Sequence, residues 1–230
     1  MLFLTVKANP YADRRSVSYR MRQRRYAHIK SIIDEVLERQ GRCRILDLGG
    51  TEGYWDIAVD HVDDPRIQID LVNLDIERAR RPNFTAIQAN ACDMTGFGDM
   101  SYDFLHSNSL IEHVGTWGAM ARVAANVRRL APAYFVQTPY FWFPIEPHFR
   151  FPFFHWMPEP IRYRLILSGD MGHMKKAASV ADAVQSVQSA VLLDYRQFST
   201  LFPDADIQCE RVFGLTKSLM AIRRHRKLSR

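Results

Sequence analysis

Apolar residues change their spacing several times along the chain, and each change predicts a different element. From Tyr26 to Leu37 they recur at helical spacing, and Gly41 follows as a stop signal. Further along, short apolar or alternating runs predict five strands, at residues 43–48, 67–74, 84–88, 102–106 and 134–137. Helices are predicted at 54–61 and 116–130. This alternation is typical of a parallel sheet with helices on both faces.

The end of the chain breaks this alternation. Residues 207–213 and 217–222 are predicted as two more strands, and the three residues Gly214-Leu215-Thr216 between them are too few for a crossover helix. We therefore expect the two strands to pair antiparallel as a hairpin. The predicted fold class is α/β, with a mostly parallel seven-stranded sheet whose last strand is antiparallel.

An unusual segment lies between the fifth strand and the hairpin. Residues 139–160 contain six of the 11 prolines, and residues 140–156 contain nine aromatic residues. Dense prolines prevent a regular helix or a central strand, and dense aromatic side chains are costly to leave in water. We expect an irregular aromatic lobe inserted after strand five, which lines an acceptor pocket, stacks nucleic-acid bases or forms a homodimer interface.

Charge is distributed unevenly along the chain. The formal net charge is +6, but residues 1–44 carry +7, residues 217–230 carry +6 and the stretch between them carries −7. Residues 14–30 contain seven basic residues and no acidic one. This basic arm indicates either a phosphate-binding or membrane-surface segment or a solvated helix face.

Cysteine content and hydropathy indicate the environment in which the chain works. The three cysteines, Cys43, Cys92 and Cys209, form no CxxC pair, so the sequence offers no zinc-ribbon or iron–sulfur ligand set and we predict no metal. Reduced thiols are typical of a cytosolic compartment. No apolar run is long enough for a transmembrane segment. We expect a cytoplasmic protein.

The first predicted strand runs into a glycine-rich turn that is the first candidate site. The turn reads Asp47-Leu48-Gly49-Gly50-Thr51-Glu52-Gly53, and such strand-to-helix turns bind ligands in parallel α/β sheets. A carboxylate at Asp47 would repel a pyrophosphate and attract an ammonium group. This residue argues against a dinucleotide-dependent oxidoreductase, although that function remains a third alternative.

Acidic residues also follow the next two strands. Asp75 ends the second strand, where a carboxylate can accept hydrogen bonds from ribose hydroxyls, and Asp93 with Asn90 follows the third. A ligand with amine, ribose and adenine groups over these strand ends matches S-adenosyl-L-methionine. Helix capping by Asp75 and a loop turn at Asp93 are the structural alternatives.

Residues 42–138 resemble the class I SAM-dependent methyltransferases, and in particular small bacterial proteins with a generic methyltransferase domain. The matching segments are Arg44–Trp55, Asn73-Leu74-Asp75, Asn90–Met94, Tyr102-Asp103-Phe104 and Ser107–Val114. Thr51 stands where the family's D-x-G-x-G-x-G pattern has its second glycine, and Gly50 precedes it. The resemblance implies a Rossmann-like fold, S-adenosyl-L-methionine as the cofactor and S-adenosyl-L-homocysteine as the product.

The resemblance also assigns cofactor contacts and a division of the chain. The candidate contacts are Asp47, Gly49, Gly50, Thr51, Gly53, Asp75, Ile76, Asn90, Ala91, Cys92, Asp93 and Ser107. The predicted regions are a basic helical arm or lid (1–41), the SAM-binding core (42–138), the acceptor-side insertion (139–194), and a terminal helix with the hairpin (195–230).

Methyl transfer would proceed by in-line displacement at the sulfonium methyl group. A base is needed only when the acceptor is a protonated amine or a hydroxyl. His113, beside Glu112, and His148, two residues from Glu146, are the candidate bases, and a packing role is the alternative for each. His155 and His173 are weaker candidates.

Two motifs that the sequence lacks narrow the class of methyl acceptor. No Asn-Pro-Pro-Tyr follows strand four and no Pro-Cys pair occurs, so two nucleic-acid methylation signatures are absent. We expect a small-molecule or glycan acceptor, with transfer to an O or N atom, and we do not expect nucleic acid as a partner. An RNA methyltransferase or RNA-binding protein that uses the basic termini remains the alternative.

Overall fold

The structure is a computed structural model that describes residues 17–225 except Ile76, Pro147, Arg150 and His173. The first part of the predicted arm, the cofactor candidate Ile76 and the base candidate His173 therefore lie outside the described residues. The described helices are α1 (Val17–Gln40), α2 (Val59–Val62), α3 (Trp117–Leu130), α4 (Glu159–Ser168), α5 (Val180–Gln188) and α6 (Tyr195–Leu201).

The strands form a single seven-stranded sheet. They are β1 (Cys43–Leu48), β2 (Ile67–Asn73), β3 (Phe84–Gln88), β4 (Phe104–Asn108), β5 (Ala133–Pro139), β6 (Asp206–Val212) and β7 (Leu215–Arg223), in the spatial order β3-β2-β1-β4-β5-β7-β6. β1 pairs parallel with β2 and β4, β2 pairs parallel with β3, and β6 and β7 pair antiparallel. The predicted Rossmann-like fold class is confirmed.

Two compact units divide the chain. The first contains the residues up to Asn108 with 126–135 and the end of the chain, and the second contains 109–125 and 136–222. In the first unit, α1 buries Ile29, Ile32, Ile33 and Val36 at the helical spacing seen in the sequence. The arm is therefore partly a core helix. None of the described helices is long and apolar enough to cross a membrane.

The second unit contains the aromatic segment. As predicted, residues 140–153 hold no helix or strand among those described. Farther along, a 3₁₀ turn at Phe154–Trp156 leads to α4, and Phe149, Phe154 and Ile166 form a buried cluster with Met171, Ala183 and Val187. Prolines thus shape an irregular loop whose buried rings anchor it to α4 and α5.

The bounds of several predicted elements differ from the structure. The hairpin strands are Asp206–Val212 and Leu215–Arg223, so Leu215 and Thr216 belong to β7 and the link between the strands is shorter than predicted. The fourth strand begins at Phe104 instead of Tyr102 and continues to Asn108. Polar Ser107 is tolerated in the buried strand because its hydroxyl donates to the carbonyl of Leu48 at 3.0 Å. The helix predicted at 54–61 is a 3₁₀ turn, Glu52–Ala58, followed by α2.

Thiol reactivity gives a direct test of the fold. Burial, with a smaller contribution from Asp103, raises the pKa of Cys43 to about 12, whereas Cys209 is exposed. Because the thiolate is the reactive form, we expect iodoacetamide at neutral pH to modify Cys209 and leave Cys43 unmodified until the protein unfolds. Peptide mass spectrometry would measure this, and equal labelling of the two residues in the folded protein would contradict the packing of β1.

Candidate functional site

The glycine-rich turn after β1 depends on two glycines for different reasons. Gly49 has a φ of +72°, which favours glycine, and its N–H donates to the carbonyl of Val72 at 2.8 Å. At Gly50 a Cβ atom would lie 1.9 Å from Oδ2 of Asp47. The backbone therefore passes directly over the Asp47 carboxylate.

Asp47 itself is fully buried, and both its oxygens have partners. Trp55 Nε1 donates to Oδ2 at 2.8 Å, and His106 Nδ1 donates to Oδ1 at 2.6 Å. The ring of His106 stacks on Phe135 and lies 4.7 Å from the ring of Tyr54. The predicted contact of Asp47 with a ligand ammonium group stays a prediction, and within the protein these two donors hold the carboxylate. Asp47 positions the turn from below.

A cavity of about 510 Å³ lies beside this turn in the first unit. Thr51, Gly53 and Asp75, three of the predicted cofactor residues, line it, and Asp75 is exposed at the end of β2. Sequence reasoning missed the other lining residues, which are Glu52, Asp56, Leu71, Asn73, Glu77, Arg78, Ala79 and Arg80. The position of Asn73 as the last residue of β2 was the available signal for one of them.

The loop after β2 is fastened to the glycine turn by acidic side chains. Glu52 accepts hydrogen bonds from the backbone N–H groups of Arg80 at 2.9 Å and Arg81 at 3.2 Å. The Arg81 guanidinium also donates to Asp56 at 2.5 Å. Two carboxylates thus lie at the opening of the turn, and Arg81 pairs with both of them.

The other cofactor candidates among the described residues do not line this cavity. Asn90 and Asp93 are turn formers: Asn90 Oδ1 accepts from the N–H of Cys92 at 2.9 Å, and Asp93 Oδ1 accepts from the Thr95 hydroxyl at 2.9 Å. Ala91 is buried, and its carbonyl accepts from Asn126. Ser107 is buried as well. The structure thus favours the loop-turn alternative for Asn90 and Asp93, while their predicted cofactor contacts stay untested.

The second unit brings Glu146 and His148 together, as their spacing suggested. Glu146 is buried, and one carboxylate oxygen accepts from the N–H groups of His148 at 2.7 Å and Phe149 at 2.6 Å. Its other oxygen accepts from His148 Nδ1 at 2.6 Å. This arrangement fixes the ring orientation of His148 and leaves Nε2 with its lone pair.

His113 lies against His148, although 35 residues separate them in sequence. Its Nδ1 donates to the Ser189 carbonyl at 2.8 Å, and the two Nε2 atoms are 3.2 Å apart. The adjacent Glu112 is fully buried and accepts from the Thr138 hydroxyl at 3.0 Å. Its other oxygen, Oε1, finds no hydrogen-bond partner among the residues that the structure describes.

Burial and charge shift the pKa values in this cluster. Burial raises the pKa of Glu112, and the two neighbouring histidines oppose that shift. Burial alone would lower the pKa of His148, but the hydrogen bond and charge of Glu146 outweigh it, so the pKa is raised. A raised pKa makes the imidazole a stronger base.

A smaller cavity of about 250 Å³ also lies in the second unit. Phe141, Phe149 and Phe154 line it with Glu146, His155, Glu159 and Arg162, and with residues 187–188 and 190–192. Burial lowers the pKa of Arg162, whose Nε has no partner among the described residues. Several rings of the lobe remain exposed, including Trp142, Phe153 and Trp156. The predicted homodimer contact through these rings stays a prediction.

Known proteins resemble this chain in fold, and the resemblance does not identify its function. No protein-family model matches the chain, and none of the curated proteins is a match. A proposed Zn-dependent alcohol dehydrogenase from Rhodobacter sphaeroides aligns with a TM-score of 0.50 and 8% identity, over 80% of this chain and 84% of that one.

Two methyltransferase structures also align. A SAM-dependent methyltransferase from Methanosarcina mazei gives a TM-score of 0.46 and 14% identity over 81% of this chain and 94% of that one. The CurJ carbon methyltransferase gives 0.49 and 11% over 85% of this chain and 53% of that one. At these identities and TM-scores, neither carries an argument about function. The alignments therefore describe an α/β fold alone, and the function is argued from the site.

Proposed function

We propose that the chain is a SAM-dependent methyltransferase that moves a methyl group to an O or N atom of a small-molecule or glycan acceptor by in-line displacement. The observation that carries the proposal is the cavity at the carboxyl ends of β1 and β2, lined by Thr51, Gly53 and Asp75. A carboxylate at the end of the second strand of such a sheet can hold both ribose hydroxyls of a nucleoside.

The charge of the cavity favours a cationic cofactor over a dinucleotide. Four carboxylates and two guanidinium groups line it, so acidic groups outnumber basic ones: Asp75, Glu77, Glu52 and Asp56 against Arg78 and Arg80. Glu52 also opens the 3₁₀ turn where a pyrophosphate would have to bind. A dinucleotide fingerprint instead offers free N–H groups of a helix to this anion. The ammonium and sulfonium groups of S-adenosyl-L-methionine suit these carboxylates.

The acceptor chemistry is assigned to the second unit. Glu146 orients His148 and strengthens it as a base, so that Nε2 can take the proton of an acceptor hydroxyl or ammonium group, with His113 alongside. The aromatic cavity beside Glu146 suits a small ring compound or a sugar, and Arg162 suits a polar or anionic substituent. Because displacement at a methyl group needs alignment above all, exclusion of water by these rings supports the same reaction.

The basic arm is proposed to act within its own protein, not on RNA. Arg25 is buried and donates to Asn108 at the end of β4, Lys30 pairs with Asp34 at 2.6 Å, and Arg39 contacts His225. These three cations already have partners within the protein, which supports a packing role for the arm. We keep the proposal that the arm also acts as a lid. RNA binding that disappears on mutation of exposed arm residues such as Arg24 would favour the RNA alternative.

Replacement of Asp75 tests the cofactor directly. We expect the wild type to bind S-adenosyl-L-homocysteine in calorimetry, and Asp75→Ala to lose about 1–3 kcal/mol of binding because buried ribose hydroxyls lose a charged acceptor. Asp60→Asn, an exposed acid of α2 that does not line the cavity, is the matched control and should bind as the wild type does. Binding of NAD together with no response to S-adenosyl-L-homocysteine would refute the proposal.

A further inference from the structure

In the cluster of Glu112, His113 and His148, two ring nitrogens with lone pairs face each other. Each histidine donates its Nδ1 hydrogen to an acceptor that can only accept, the Ser189 carbonyl for His113 and the Glu146 carboxylate for His148. In the neutral rings, both Nε2 atoms therefore carry lone pairs, and they face each other at 3.2 Å. Two lone pairs at this distance repel unless a cation lies between or beside them.

A carboxylate lies beside the two nitrogens. Glu112 is fully buried, Thr138 holds one of its oxygens, and Oε1 has no hydrogen-bond partner among the described residues. Ligand atoms of the three residues all lie within 4.8 Å of one another. A buried carboxylate oxygen without a donor is costly, and a cation would remove that cost.

We propose that Glu112, His113 and His148 bind one divalent transition-metal ion, with Zn²⁺ as the best match. Two imidazole nitrogens and one carboxylate oxygen form a common catalytic zinc set, which leaves a position open for water or substrate. Two nitrogens on one tetrahedral zinc ion lie about 3.3 Å apart, close to the observed separation. The ligand atoms all lie within 4.8 Å of one another, which exceeds this separation by about 1.5 Å.

The groups around the three ligands support a metal more than a shared proton. Histidine ligands usually donate their second ring nitrogen to a carboxylate or a backbone carbonyl, and each partner is present here in Glu146 and Ser189. Thr138 orients the Glu112 carboxylate in the same way. Glu112 and His113 lie in one 3₁₀ turn that follows β4, and the Val191 N–H holds the Glu112 carbonyl at 2.7 Å. The site is therefore built on hydrogen-bonded backbone.

A metal ion at this site would also activate the methyl acceptor. This role depends on the proposed methyltransferase function, whereas metal binding itself does not. An ion held by the three ligands would bind the acceptor's hydroxyl oxygen at its open coordination position and lower the pKa of that hydroxyl. The hydroxyl proton would pass to water, and the alkoxide would form the new O–CH₃ bond as the S–CH₃ bond breaks and S-adenosyl-L-homocysteine leaves. With the ion bound, His148 Nε2 acts as a ligand and the ion replaces it in activating the acceptor. Imidazole ligands suit zinc, cobalt or iron and are poor ligands for Mg²⁺. The expected selectivity is for a transition metal.

The test uses the full chain without an affinity tag, stripped with a chelator and with its accessible cysteines alkylated. Zn²⁺ is titrated in competition with a chromophoric chelator, and Co²⁺ is added as a spectroscopic probe. We expect about one equivalent of Zn²⁺, the intense visible bands of tetrahedral Co²⁺, and no competition from Mg²⁺. His113→Ala, His148→Ala and Glu112→Gln should each weaken binding by about 100-fold or more.

A control variant and two further measurements accompany the zinc titration. His155→Gln alters a histidine of the same lobe that is not a ligand and should bind Zn²⁺ as the wild type does. Thermal unfolding of every variant reports whether it folds, and S-adenosyl-L-homocysteine binding on the same samples tests the proposed function separately. Absence of the stoichiometric Zn²⁺ complex, or a complex that survives both histidine substitutions in folded protein, would overturn the metal site. Cofactor binding would be unaffected by that result.

Discussion

Gly50→Ala is expected to lower the free energy of unfolding by about 3–5 kcal/mol and to abolish cofactor binding. The new methyl group would lie 1.9 Å from Oδ2 and 2.1 Å from Cγ of Asp47. Asp47 cannot turn aside without leaving the indole of Trp55 and the imidazole of His106, which are its buried partners. Either the carboxylate loses its donors or the turn lifts, and both changes deform the cavity wall. Chemical denaturation and calorimetry would measure the two losses.

Gly96→Ala is the control for this substitution, because a Cβ atom there meets nothing within 4 Å and the backbone φ is not positive. A double-mutant cycle gives a sharper test. In an Asp47→Ala background the clashing carboxylate is gone, so the cost of Gly50→Ala should fall by about 1–3 kcal/mol. Additive losses from the two substitutions would show that the turn does not rest on Asp47.

Much of the sheet could be predicted because its strands carry their own signals. β1 and β3 begin and end where the apolar runs do, and the hairpin follows from the short link at Gly214. The part of α1 over residues 17–25 could not be predicted, because these residues lack an apolar stripe. Tyr19, Met21 and Arg25 are buried there by tertiary packing.

The candidate site was predictable only where its residues are close in sequence. Glu146 and His148 are two residues apart, and their contact follows from that spacing. Asp47 pairs with His106, 59 residues away, so its burial beneath the turn could not be inferred from residue type alone. The same holds for His113 and His148. Their contact depends on the loops after β4 and β5. The prediction of no metal used cysteine spacing alone, which carries no information about this contact.

Glu146→Gln is expected to destabilise the second unit by about 3 kcal/mol, because the carboxylate is buried and accepts three hydrogen bonds. A glutamine side chain has one acceptor oxygen, so its NH₂ group must face either His148 Nδ1 or the N–H groups of His148 and Phe149. Facing the backbone, the NH₂ group would oppose two donors; facing the imidazole, it would force His148 into the tautomer that carries its hydrogen on Nε2. The loop should open, and thermal unfolding with limited proteolysis of residues 140–157 would detect it.

Asp170→Asn is the matched control, since Asp170 also accepts from a backbone N–H, that of Lys176, and from a side chain, that of Lys175. Its side chain is 57% exposed, whereas that of Glu146 is 4% exposed. Water can replace lost partners at Asp170, so this variant should unfold at the wild-type temperature. If the two variants unfold alike, burial of Glu146 does not stabilise the lobe. If Glu146→Gln alone loses stability and also binds Zn²⁺ about 10- to 100-fold more weakly, one carboxylate both holds the loop and orients His148.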